Sequence, residues 1–156
     1  MTMTIEVLHR DDHSTLANVA PGVFDHPIDA RWSAEFLRDP RHHIAVAIET
    51  GLVVGFASAV HYVHPDKPPE LWINEVGVAP IHQNQGLGKK LLRALFEVGR
   101  EHGCREAWVL TDRSNGPASR LYASVGGIEP PGETVCFTFP LDLAVSPAPS
   151  PGPSAG

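Results

Sequence analysis

Leu71 to Leu95 reads LWINEVGVAPIHQNQGLGKKLLRAL, and the fold turns on this stretch. Leu71-Trp72-Ile73 followed by Val76-Gly77-Val78 is a near-continuous apolar run, which predicts a strand buried on both faces. A helical pattern begins at Leu87 and repeats Leu91, Leu92, Leu95 and Phe96 on one face. Lys89, Lys90, Arg93, Glu97 and Arg100 fall on the other, and Gly103 is its stop. Between strand and helix lies Gln83-Asn84-Gln85-Gly86-Leu87-Gly88. Two glycines let this loop turn tightly and leave N–H groups bare at a helix N-terminus, which carries about half a positive charge. The stretch therefore predicts a strand, a short anion-binding loop and a helix.

Two well-known phosphate cradles do not fit. A P-loop needs Gly where Gln83 stands and Ser or Thr where Lys90 stands; a dinucleotide fingerprint needs a third Gly at Leu91. What remains, Gln-x-x-Gly-x-Gly after a strand, resembles the GCN5-related N-acetyltransferase (GNAT) superfamily, whose Gln/Arg-x-x-Gly-x-Gly/Ala loop grips the pyrophosphate of acetyl-coenzyme A. Asn84 departs from the glycine usual there. Asn enters the left-handed conformation more readily than most residues, so the loop is expected to survive. Downstream, Asn115-x-x-Ala118-x-x-Leu121-Tyr122-x-x-x-Gly126 is similar to the family's second cofactor-side signature. The resemblance covers about Ile44 to Gly127 and is weak over the first forty residues. It implies an α/β (α+β) acyl-CoA N-acyltransferase fold over residues 1–143: a mixed, mostly antiparallel sheet flanked by helices, with acetyl-coenzyme A wedged between two parallel central strands.

Working outward from the central stretch, Ile44 to Glu49 and Leu52 to Tyr62 are apolar, β-branched runs around Thr50-Gly51 and predict an antiparallel hairpin. Thr4 to Leu8 alternates as a first strand. Arg10 to Val19 is a short helix candidate entered through Asp11 or Asp12, and Asp29 to Leu37 a second, with Asp29 as N-cap and Pro40 beyond its end. Ala107 to Thr111 predicts a strand parallel to the central one, because a helical crossover leads to it. Pro117 opens a helix from Ala118 to Val125, closed by Gly126-Gly127. Thr134 to Leu141 alternates as a final strand, and residues 144–156, which from Ser146 on are Ser, Pro, Ala and Gly only, read as a disordered tail.

Glu75 stands inside the central strand beside Val76. Burial there would raise a carboxylate from ~4.3 toward neutrality and make it a base for an ammonium proton, directly or through a water. A structural Glu paired with an Arg or a backbone amide is the other reading; the resemblance implies the catalytic one. For Tyr122 the resemblance implies a phenol facing the departing sulfur, and a phenol of pKa ~10 can protonate a thiolate. The bland reading is a Tyr packed under its helix with its hydroxyl in water. Asn115 and Ala118 contact coenzyme A by the same resemblance. If the two parallel strands splay, free backbone groups of Val76 and Val78 would pair with the pantetheine arm. Gly77 would then be a bulge between them and the Val76 N–H an oxyanion donor. Lys89, Lys90 and Arg93 either reach phosphates or are solvated helix charges.

The chain of 156 residues, 42% apolar, is the size of one domain. Its formal charge of −6 and lack of a Lys/Arg run argue against nucleic acid and suit a cationic substrate. Cys104 and Cys136 form no C-x-x-C pair and no secretory leader is visible, so a reduced, cytoplasmic compartment is expected, and a buried thiol rather than a nucleophile. No apolar segment approaches the ~18 residues needed to span a bilayer. Among nine histidines, neither His61-x-x-His64 nor His42-His43 has zinc spacing, so no metal site is expected. A Gly-x-Ser-x-Gly elbow is absent, which excludes one kind of hydrolase.

For the acceptor, Phe24-Asp25 through Phe36-Leu37, the proline-rich loop before the central strand and Phe137-Thr138-Phe139 look like small bacterial aminoglycoside 3-N-acetyltransferases. An acidic pocket of Asp25, Glu75, Asp112 and Asp142 would match a polycationic sugar. Transfer to another small amine, to a peptide or protein amine, or a non-catalytic acetyl-coenzyme A sensor are the alternatives. Homodimers are common in this fold by resemblance; nothing in the sequence specifies one.

Overall fold

A computed structural model describes residues 2–142; the expected tail lies outside the described residues. Thr50 (φ 49°) and Gly51 (φ 77°) both adopt positive φ, the turn that matches strand twist, and they join β2 (His42–Glu49) to β3 (Leu52–Tyr62). β1 (Met3–Val7) lies antiparallel on β2, and β4 (Glu70–Val78) antiparallel on β3. β5 (Ala107–Val109) lies parallel to β4, so the five-stranded sheet runs β1-β2-β3-β4-β5 in sequence order. The expected mixed, mostly antiparallel sheet flanked by helices is what forms.

Three helices accompany the sheet. α1 (Ala30–Arg38) starts at Asp29, whose carboxylate accepts from the N–H groups of Arg31 and Trp32. α2 (Leu87–Glu101) buries Leu87, Leu91, Leu92, Leu95 and Val98 against the sheet, and Leu91, Leu92 and Leu95 are wholly enclosed with Leu71, Val46, Val53 and Val54. Each such leucine contributes on the order of 2 kcal/mol by leaving water. α3 (Gly116–Ser124) is capped by the Asn115 side chain, which accepts from the Ala118 N–H at 3.1 Å. No helix among the described residues is long and apolar enough to cross a membrane.

The structure corrects the sequence reading in several places. β4 is buried on one face only. Leu71 and Ile73 point into the core, while Trp72 is 38% exposed and stacks on Trp108 with ring centroids 5.0 Å apart. The helix expected from Arg10 to Val19 is a 3-10 turn over His13–Ala17, because only Leu16 there has a core position. β5 stops at Val109, short of Thr111. The strand expected over residues 134–141 is absent: this segment takes no place in the sheet, and Val135, Phe137, Phe139 and Leu141 are 69–91% exposed. Cys136 is exposed with it, whereas Cys104 is half-buried.

At the end of the sheet away from the loop, His43 is buried, and desolvation together with the neighbouring His102 and His61 pushes its pKa down to about 4. His43 is a neutral core residue.

Candidate active site

β4 outruns its parallel partner. Pairing with β5 covers Leu71, Trp72 and Ile73 only, so from Asn74 to Val78 one edge of β4 faces an opening. Ala79 donates its N–H to Val54 O at 2.8 Å, and the alternation of an antiparallel ladder then turns the backbone groups of Gly77 toward β3 and those of Val76 and Val78 away from it. One of the outward acceptors is used internally: the Gln83 side chain donates to Val78 O at 3.1 Å. The bulge expected at Gly77 lies instead at Asn74, where Ser58 opposes Glu75 and Ala59 opposes Ile73. Gly77 is required for another reason. A Cβ there would lie 2.2 Å from the Val23 carbonyl oxygen and 2.8 Å from a Phe56 ring carbon, so the N-terminal loop sits directly on the strand.

The loop from Gln83 to Gly88 has the conformation its residues allow. Asn84 takes φ 60°, the left-handed region that the sequence required of it, and Gly86 takes φ 78° as the N-cap of α2. No side chain caps α2, and the Lys90 N–H is the first to reach back, to Gly86 O. The N–H groups of Leu87, Gly88 and Lys89 therefore open the helix without an intrahelical acceptor. Gln85 braces the loop through Ile81 O at 3.3 Å. The side chains of Lys89, Lys90 and Arg93 are exposed. This uncapped helix mouth beside an open strand edge fits a ligand that carries a diphosphate on an amide-rich arm.

α3 joins this mouth through Leu121, whose Cδ2 would lie 2.9 Å from a Cβ on Gly88. The next residue, Tyr122, is half-buried, and burial pushes its phenol above its ordinary value near 10. Asn115 and Ala118 are bonded to each other as the helix cap, so the Asn115 carboxamide oxygen has a structural task.

A cleft of about 330 Å³ follows the open edge, lined by Gly22, Val23, Asp25, Phe56, Glu75, Val76, Gly77, Val78 and Gln83. Glu75 is solvent-exposed in it, not desolvated as its place in an apolar run suggested, because the Asn74 bulge turns the strand here. A larger cavity of about 640 Å³ opens beneath the N-terminal loop, among Leu16, Ala20, Phe24, Asp25 and Ile28. The two share Gly22 and Asp25. Phe24 stacks on Phe56 with centroids 3.8 Å apart and fixes the wall between them. Of the carboxylates expected to face an acceptor, the structure brings Asp25 and Glu75 together. Asp112, in the loop after β5, and Asp142, at the end of the exposed C-terminal segment, line neither cavity.

The sequence missed His82. It is buried in the 3-10 turn Pro80–His82 and bonds Glu49 at 2.9 Å, tying the base of the loop from Gln83 to Gly88 to the end of β2. A lone His in a loop gives no spacing by which to find such a tie.

A family model described as "Acetyltransferase (GNAT) family" matches residues 6–126. A mycothiol acetyltransferase of Thermomonospora curvata is 34% identical over 127 residues, which is 75% of this chain but only 40% of that protein. The N-alpha-acetyltransferase RimI of Mycobacterium tuberculosis is 32% identical over 126 residues, 80% of this chain and 77% of the relative. Among solved structures, an aminoglycoside acetyltransferase from an uncultured soil metagenomic sample, in complex with sisomicin, shares the fold. Its TM-score is 0.76 at 22% identity, covering 89% of this chain and 96% of the other. The aminoglycoside acetyltransferase AAC(6')-Iy, in complex with the bisubstrate analog CoA-S-monomethyl-acetylneamine, matches with TM-score 0.71 at 25% identity, over 90% of this chain and 99% of that one.

Proposed function

The chain belongs to the acetyltransferase (GNAT) family, and from that premise we propose that it transfers an acetyl group from acetyl-coenzyme A to a primary amine of a small polycationic acceptor, an aminoglycoside modified at its 3-N position. The observation that carries this reading is the meeting of Asp25 and Glu75 on the wall of one cleft at the open edge of β4, with Asp25 shared by the larger cavity. Two carboxylates at the junction of two cavities suit an acceptor bearing several ammonium groups.

Acetyl-coenzyme A supplies the acetyl group as an activated thioester. The N–H groups at the mouth of α2 and the loop from Gln83 to Gly88 would hold its diphosphate, and the outward-facing Val76 and Val78 backbone its amide arm. Val76 N–H would then be the donor to developing oxyanion charge. Glu75 takes a proton from the acceptor ammonium, directly or through water, and Asp25 holds a second ammonium. Tyr122 keeps its proton on Oη for the departing sulfur: burial raises the phenol pKa, so the group is protonated throughout the neutral range.

Thiol release measured with a panel of aminoglycosides, polyamines and peptide N-termini tests the proposal. Turnover of aminoglycosides carrying a free 3-amino group is expected. The similarity to RimI makes peptides the decisive comparison: turnover of peptide N-termini alone would overturn the acceptor assignment. Tight coenzyme A binding with silence across the panel would reject catalysis in favour of a sensor.

A further inference from the structure

Three histidines that are far apart in sequence converge at the end of the sheet opposite the cleft. His43 comes from β2, His61 from β3, and His102 caps the C-terminus of α2. One ring nitrogen of each lies within 4.8 Å of the corresponding nitrogen of the other two. His43 Nε2 and His61 Nδ1 are 2.7 Å apart, and the His102 ring centroid lies 4.8 Å from that of His43 and 4.5 Å from that of His61. α2 has 15 residues, so about 22 Å of helix separates this cluster from the phosphate loop.

We propose that His43, His61 and His102 form a three-nitrogen site for a divalent transition ion, Zn²⁺ in the first place, with a fourth position open to water. Three further observations support it. His102 Nδ1 lies 2.9 Å from Val98 O, so its N–H donates to that carbonyl and the Nε2 lone pair is left for the cluster. Such a backbone acceptor behind an imidazole is the usual way in which a ligating histidine is oriented. The burial gradient is graded as an open metal site requires: His43 is buried, His61 half-buried and His102 exposed, so the vacant coordination position faces solvent. No thiol or carboxylate joins the group among the described residues, and an all-imidazole set selects Zn²⁺, Cu²⁺ or Ni²⁺ over Mg²⁺ or Ca²⁺.

Tetrahedral bonds of ~2.0–2.1 Å place ligand nitrogens about 3.3 Å apart. The close His43–His61 pair must open and His102 must move in, side-chain rotations on the order of 1 Å. Whichever of the paired nitrogens carries the proton shared at 2.7 Å passes it to the other nitrogen of its own ring, and both lone pairs then face the ion. Arg41, a repulsive neighbour of His61, is paired with Asp39 at 3.4 Å, which offsets its charge. A bound ion would staple β2, β3 and the end of α2 together.

The test uses untagged full-length protein, stripped with chelator, since a histidine tag would compete. Titration with Zn²⁺ by calorimetry is expected to show one saturable site per chain, Co²⁺ to give the visible bands of a four-coordinate ion, and the melting temperature to rise with Zn²⁺ concentration. His102→Ala, at an exposed helix end, should keep its far-UV circular dichroism and weaken Zn²⁺ binding by at least about tenfold to 100-fold. His61→Gln should do the same, and His9→Ala should bind as the parent does. Absence of saturable binding, or affinity unchanged in both His102→Ala and His61→Gln, would overturn the proposal.

Discussion

Gly77→Ala places one methyl group where the N-terminal loop rests on the central strand. The added carbon would sit 2.2 Å from the Val23 carbonyl oxygen and 2.8 Å from Phe56 Cε1. A carbon and a carbonyl oxygen need about 3.3 Å, so backbone must move by roughly 1 Å, and the oxygen cannot rotate aside as a side-chain tip would. Overpacking of this kind costs about 1–3 kcal/mol. For a domain of this size each kcal/mol lowers the melting temperature by roughly 3–4 °C, so a fall of about 3–12 °C is expected by calorimetry. The displaced segment also carries Gly22 and Asp25, which line both cavities. Kinetics should therefore show KM for the acceptor rising more than KM for acetyl-coenzyme A. Refutation is plain: a variant with the parent's melting temperature and both KM values unchanged means that the loop does not lie on β4 at Gly77.

Other outcomes follow from the same geometry. Glu75→Gln, at an exposed position, should leave the melting temperature unchanged and lower kcat by roughly 10²–10⁴; a rate within twofold of the parent removes Glu75 as the base. Tyr122→Phe should lower kcat by about 10² or more at full cofactor saturation. Burial disfavours the phenolate and raises the phenol pKa, so Tyr122 remains an acid throughout the range below its ordinary value, and any fall in kcat that it causes belongs above pH ~10. A descending limb below that pH which disappears in Tyr122→Phe would contradict the assignment. His82→Ala breaks the part-buried bond to Glu49 and should cost about 1–3 kcal/mol in urea unfolding while weakening coenzyme A binding; an unmoved urea midpoint refutes the tie between β2 and the loop.

What the sequence disclosed was local in origin. Thr50-Gly51 named its hairpin because positive φ is demanded of both turn residues. Asp29 named the start of α1 because a carboxylate satisfies free N–H groups there, and the leucines of α2 named their own buried face. Misreadings arose where tertiary neighbours decide. Alternation over residues 134–141 is necessary for a half-buried strand but supplies no partner edge, and Phe137 and Phe139 stay in solvent. The apolar run around Trp72 suggested two covered faces, yet the tryptophan finds a stacking partner on an uncovered one. Glu75 was read as desolvated because its neighbours are apolar; a one-residue bulge at Asn74 exposes it. Both cofactor-side signatures were readable as motifs, whereas their joining through Gly88 and Leu121 was not. The histidine cluster is the extreme case, since residues 43, 61 and 102 share no spacing that a motif could express.

The central claim is that bare N–H groups at the start of α2, beside the open edge of β4, hold a diphosphate. Titration of ¹⁵N-labelled protein with coenzyme A, followed by amide chemical shifts, tests it most directly. The largest shifts are expected at Gly86, Leu87, Gly88 and Lys89, with a second set at Val76 and Val78. Shifts confined to any other surface, or none at saturating coenzyme A, would contradict the account.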